Sequence, residues 1–170
     1  MSKAELEHNE YSIAIAGLPI GLYSYQFNLN DHFFSNFQHP DVEGGKVDVL
    51  VEMNKRSEAI GLNIHLTGTL KVECDRCLDL FDLKIKTSED VVYTLGKNSD
   101  FAEDEVIILP KDQTIIDLSQ LLYEIAVTQV PISKIHPNDS NGKSTCNPDM
   151  LKIIDQYKVK NEKENDNFLG

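Results

Sequence analysis

The chain has no tryptophan and only three cysteines in 170 residues, and each scarcity narrows what it can be. A small, odd cysteine count excludes a scaffold held by disulfides and is expected of reduced thiols, so the expected location is cytoplasmic. No apolar run approaches the ~18 residues that a bilayer-crossing helix requires, and no membrane partner is expected. The first ten residues, MSKAELEHNE, lack the apolar stretch of a secretory signal. Basic side chains are also scarce: 16 against 28 acidic ones leave a formal charge of −12. Such a field repels phosphate backbones, so any RNA contact must be local or made through a partner. The glycines form no phosphate-cradling loop. His8, His32, His39, His65 and His136 are scattered, and no Ser, His and Asp grouping marks a nucleophile, so neither enzymatic activity nor a small-molecule substrate is expected.

The residues that are present read as strands followed by helices. Beyond a flexible tail over residues 1–10, one domain is expected from 11 to 157, with a disordered tail over 158–170. YSIAIAGL and GLYSYQFNLN read as extended, with Tyr23, Tyr25, Phe27 and Leu29 alternating. DHFFSNF reads as a helical turn that Asp31 can cap. Val47, Val49, Val51 and Met53 form one face of a strand. Ile60, Leu62, Ile64 and Leu66 form the next, resuming at Leu70, Val72 and Cys74, with Gly68 expected to bend the strand or mark a bulge. Phe81, Leu83 and Ile85 alternate again, and VVYTL closes the strand-rich part. The spacing predicts a curved, barrel-like antiparallel sheet over about residues 11–95. After VIILP the period becomes helical. Asp117, with Gln120 as capping-box partner, opens a helix to about residue 130 whose stripe of Leu118, Leu121, Leu122, Ile125 and Ala126 covers the sheet. An irregular, turn-rich loop with His136, Pro137, Gly142 and Cys146 comes next, then a short helix from about Asp149 to Tyr157. The class is α+β, in a single domain.

VECDRCLDLFDLKIK carries the one chemical motif. Cys74 and Cys77 can serve thiol redox chemistry, hold a metal or simply pack. Redox activity relies on a helix N-terminus to acidify the first thiol, and the residues after Cys77 alternate like a strand. A metal needs four converging donors; Cys146 is the third cysteine, and His136 shares its loop. His136 and Cys146 are separated by nine residues and lie far from the CxxC, an unusual spacing for a zinc finger, so the packing reading stays open beside the Zn2+ site Cys74, Cys77, His136 and Cys146. Arg76, Lys71, Lys84 and Lys86 surround the motif as candidate RNA or partner contacts, and a surface ion pair is the plainer role for Arg76. His65 is expected to be solvated on the polar face of its strand.

GTLKVECDRCLDLFDLKI resembles the signature of the bacterial YceD family, also called DUF177: a Gly-led strand, Cys-x-Arg-Cys-Leu, then more strand. IIDLSQLLYEIAVTQVPISKIH is similar to its second block, and IAGLPIGLYSYQFNLNDHFF resembles a branch found in Bacteroidetes-type bacteria. The resemblance spans about residues 11–150. Many relatives carry a second tight cysteine pair in the loop where this chain has only His136 and Cys146. The resemblance implies a non-enzymatic factor of ribosome biogenesis that supports accumulation of large-subunit ribosomal RNA, with a precursor particle or another assembly factor as partner. The alternatives are a small zinc-binding RNA-binding module and a CxxC redox protein.

Overall fold

The computed structural model describes residues 10–96 and 106–165, the last eight of these as backbone only. The expected tails lie outside the described residues at 1–9 and 166–170. In chain order the elements are β1 (Ser12–Ala14), β2 (Gly21–Leu29), α1 (Asp31–Ser35), β3 (Gly44–Lys55), β4 (Ala59–Glu73) and β5 (Leu80–Leu95). Then come β6 (Val106–Leu109), β7 (Ile115–Asp117), α2 (Ser119–Val127) and α3 (Pro148–Asn165).

Period-two patterning becomes one five-stranded sheet of order β2-β3-β4-β5-β6, while β1 and β7 pair separately. Val49, Val51 and Met53 face Leu66, Ile64 and Leu62 across the antiparallel β3–β4 pair, and all six are buried. Each such side chain contributes roughly 1.5–3 kcal/mol when fully buried. Phe33 and Phe34 of α1 and Leu122, Tyr123, Ile125 and Ala126 of α2 complete that core. Tyr123 stacks on Phe37 with ring centroids 4.1 Å apart. The architecture is the mixed α+β one that the alternation predicts.

Several details differ from the expectation. The sheet is not closed into a barrel: β2 and β6 are its edges. From β2 to β5, residues 21–95, every pairing is antiparallel as expected. β6, beyond that stretch, is a strand the alternation does not predict, and it pairs with β5 in parallel, Val92 opposite Val106 through Leu95 opposite Leu109. Gly68 marks no bulge, because the register runs one to one through it on both sides, to Val47 and to Ile85. It is required instead by close approach: a Cβ there would lie 2.7 Å from the Cα of Val47 and press on the Lys46 carbonyl.

The helix starts also shift. Asn30, one residue before Asp31, caps α1 by accepting from the Phe33 amide at 3.0 Å, while Asp31 takes the Gly45 N–H at 2.9 Å. Asp117 accepts from the amide and hydroxyl of Ser119, at 2.8 and 2.6 Å, and Gln120 turns away to Glu124. Leu118 holds the N-cap position of α2 with no side-chain cap. α3 continues past Tyr157 to Asn165 through residues rich in Lys, Glu and Asn. Lys and Glu tolerate a helix well without burying a face, which is why low apolar content misplaces its end.

Candidate metal centre

The CxxC lies in the turn from β4 to β5. Cys74 leaves the end of β4, its amide donating to the Asp79 carbonyl at 3.0 Å, and the Leu78 amide returns to the Cys74 carbonyl at 2.9 Å. Closing so tight a turn puts Leu78 in the left-handed region, φ +63°, a conformation costly to any residue with a Cβ. Both thiols thereby face inward and are buried.

The other half arrives by a small hairpin. Asn138 and Ser144 form a β-bridge. Within it Asp139 Oδ1 accepts from the amides of Asn141 and Lys143, both at 2.9 Å, and Gly142 takes φ +76°. Asn141-Gly142 is the residue pair such a turn favours, with glycine in the left-handed position. Thr145 Oγ1 donates to the Pro137 carbonyl at 2.6 Å and closes the base. The nine residues between His136 and Cys146 are thus a folded turn that brings their side chains side by side. Immediately afterwards Asn147 caps α3, its side chain accepting from the Asp149 amide at 3.0 Å and donating to Asp79 at 3.1 Å.

Lys134 locks the hairpin to the CxxC. Its amide donates to Asp75 Oδ2 at 2.6 Å, and its carbonyl accepts from the Asp75 amide at 2.7 Å. Its ammonium lies 3.2 Å from Asp75 and 3.0 Å from Asp41, with only 10 % of the side chain exposed. Hydrogen bonds to Asp41 and Asp75 raise the Lys134 pKa, and those from Lys134 lower that of Asp75. No sequence pattern announces this residue; its one signal is a cation set among apolar residues in PISKIHP, two positions before His136.

The four predicted donors converge. The ligand atoms of Cys74, Cys77, His136 and Cys146 all lie within 4.8 Å of one another. Cys74 Sγ is 3.9 Å from Cys146 Sγ, and Cys77 Sγ is 3.4 Å from His136 Nδ1. Around a tetrahedral zinc with Zn–S near 2.3 Å, sulfur atoms stand about 3.8 Å apart. Three thiols and an imidazole could therefore hold a metal ion, and the Cys74–Cys146 separation of 3.9 Å is close to that tetrahedral value. Phe81 packs against the His136 ring, centroids 4.7 Å apart, and Met150 and Leu151 of α3 cover the cysteines.

Burial works against ionisation of Cys74, but N–H groups of Cys77, His136 and Arg76 outweigh it and bring its pKa to about 6. Burial raises that of Cys77, opposed by the amides of Asn147 and Asp79. An acidic thiol is also what a redox protein would need. Here it has 0 % exposure and is packed against Cys77 and Cys146, which suits a thiolate ligand better than a reagent in solution.

The basic candidates do not join this centre. Lys71 lies 3.5 Å from Asp31, and Lys84 and Lys86 stand exposed on the outer face of β5, opposite Thr69 and Thr67. Arg76 is exposed in the turn, and no ion pair of it is found among the described residues. His65 lies on the polar face as expected, 3.5 Å from Glu52.

A family model described as Large ribosomal RNA subunit accumulation protein YceD matches residues 62–170, more than half of the chain. The chain belongs to this family. The matched YceD region begins within β4 and contains all four donors, whereas β1 to β3 precede it. No curated protein and no solved structure matches the chain. Membership in the YceD family implies a role in ribosomal RNA accumulation or ribosome biogenesis. No helix among the described residues is long and apolar enough to cross a membrane.

Proposed function

We propose that this YceD-family chain is a non-enzymatic, cytoplasmic factor that supports accumulation of large-subunit (23S) ribosomal RNA. In this reading a structural Zn2+ held by Cys74, Cys77, His136 and Cys146 fixes its partner-binding hairpin. The observation that carries it is the coincidence of the family match with the four donors, all of which fall within residues 62–170 and lie within 4.8 Å of one another. When bound, zinc supplies cross-linking energy to a segment that has little apolar surface of its own. The residues do the rest: Lys134 and Asp75 set the hairpin on the sheet, and Phe81 orients His136. The partner is a large-subunit precursor particle or another assembly factor, and the net charge of −12 favours a protein contact over a direct one to RNA.

The test has two parts. In cells lacking the protein, 23S RNA should fall relative to 16S and be restored by the parent chain, which should sediment with large-subunit precursors. Elemental analysis of protein purified without a His tag should find near-stoichiometric zinc, lost in Cys74→Ser and Cys146→Ser. An unchanged 23S level would remove the ribosomal reading. A metal-free parent would remove the zinc.

A further inference from the structure

Gly61 is a glycine the fold does not ask for. It sits within β4, paired with Asn54 on β3 and Val92 on β5, and needs no left-handed φ. A Cβ at Gly61 would have nothing within 4 Å, the reverse of Gly68. Glycine inside a strand costs roughly 0.5–1 kcal/mol relative to alanine, and its uses there are a bulge, a tight bend or room for a ligand or another backbone to approach closely. The one-to-one register through Gly61 excludes the bulge.

The space above Gly61 is a cavity of ≈ 450 Å³ on the solvent side of the sheet, bordered by Leu22, Ser24, Glu52, Asn54, Asn63 and Asp90. Glu52, Asn63 and Asp90 form one cross-strand row, so the two carboxylate residues stand two strand spacings apart, about 10 Å between backbones. Asp90 accepts from Asn63 Nδ2 at 2.6 Å, and Glu52 lies 3.5 Å from His65. Among the described residues neither carboxylate is paired with a lysine or arginine. Leu22 is 80 % exposed at the open end of the cavity.

We infer that this cavity receives an arginine side chain from an extended, basic segment of a protein partner. A guanidinium presents five donors in a plane and bridges carboxylates that a point charge does not, and its aliphatic stem lies along apolar surface such as Leu22. The missing side chain at position 61 lets the stem reach the sheet. The charge of −12 draws a basic polypeptide and repels a nucleic acid. The inference rests on space and charge and is independent of the ribosomal assignment.

Fluorescence anisotropy of the full chain with a labelled peptide of alternating arginine and threonine tests it, beside the same peptide carrying citrulline for arginine and a 20-nucleotide single-stranded RNA. The arginine peptide should bind, and the citrulline peptide and the RNA should bind at least tenfold more weakly. Gly61→Val should raise Tm, since a β-branched residue suits an open strand position, while weakening the peptide at least tenfold. Glu52→Gln with Asp90→Asn should weaken it similarly. No peptide binding, equal binding of the citrulline peptide, preference for RNA, unchanged binding in Gly61→Val or a fall in its Tm would each overturn the proposal.

Discussion

Two residues beside the CxxC show how the centre is held. Lys134 is nearly enclosed between Asp41 and Asp75, whose side chains stay 48 % and 42 % exposed, so replacing it leaves both carboxylates solvated but removes the two ion pairs that hold the hairpin to the CxxC turn. Lys134→Met should lower zinc affinity 10- to 100-fold, as loss of support behind metal ligands does, with all four donors intact; competition with a chromophoric chelator reads this directly. Leu78 is the second. Its φ of +63° is costly to any side chain, and its own side chain is 58 % exposed, so it loses little by removal. Leu78→Gly should therefore raise stability by about 1 kcal/mol and Leu78→Val lower it, because β-branching is least tolerated in the left-handed region. Urea unfolding of the two variants decides; equal midpoints would mean that the turn relaxes without strain.

At the scale of elements, the parts of the fold legible in the sequence came from local periodicity. β3 and β4 announce themselves through alternating Val47 to Met53 and Ile60 to Leu66, and one buried face of a sheet admits only one register. β6 hides because Val106–Leu109 is a short unbroken apolar run, and its parallel pairing with β5 is a long-range choice that no local pattern carries. The donors were legible as residue types, but their convergence was not. It depends on a hairpin between His136 and Cys146 and on Lys134 meeting Asp41, 93 positions earlier in the chain. Gly68 was legible as a special position but not in kind, since a bulge and a close approach leave the same glycine in sequence. Gly68→Ala should cost about 3 kcal/mol, at the upper end of overpacking penalties, because what it meets is backbone and not a movable side chain. Thermal unfolding measures it. The same division separates sheet from clasp: chelating zinc should speed amide exchange over residues 131–151 and leave β3 and β4 protected.

For the whole molecule, the thiols link stability to pH in a way that reports on the centre without metal. Cys74 has a pKa of about 6 in the fold against an ordinary 9.0, so between those values the folded chain holds fewer protons there than the unfolded chain does. Stability rises with pH wherever the unfolded state binds more protons. The contribution of Cys74 is complete above pH 9 and is lost as pH falls to 6. Cys77 works in the opposite sense: its folded pKa is raised, so its contribution is whole below its ordinary value of 9.0 and declines as pH climbs beyond it. Asp75, lowered from 3.8, adds a loss only in acid, and Lys134, raised from 10.5, only in strong alkali, so neither disturbs the window between. The metal-free protein should accordingly show a Tm that climbs from pH 6 towards pH 9 and turns down above it. Cys74→Ser should flatten the climb and keep the downturn, whereas Cys77→Ser should keep the climb and delay the downturn to above pH 10, where Tyr11, Tyr25, Tyr93 and Tyr123, all raised from 10.0 by burial, lose their contribution in the same sense. Calorimetric scans of chelator-treated parent and both variants, at fixed ionic strength, are the measurement. A parent profile flat from pH 6 to 9 would mean that Cys74 is not the anion its three N–H neighbours are placed to hold.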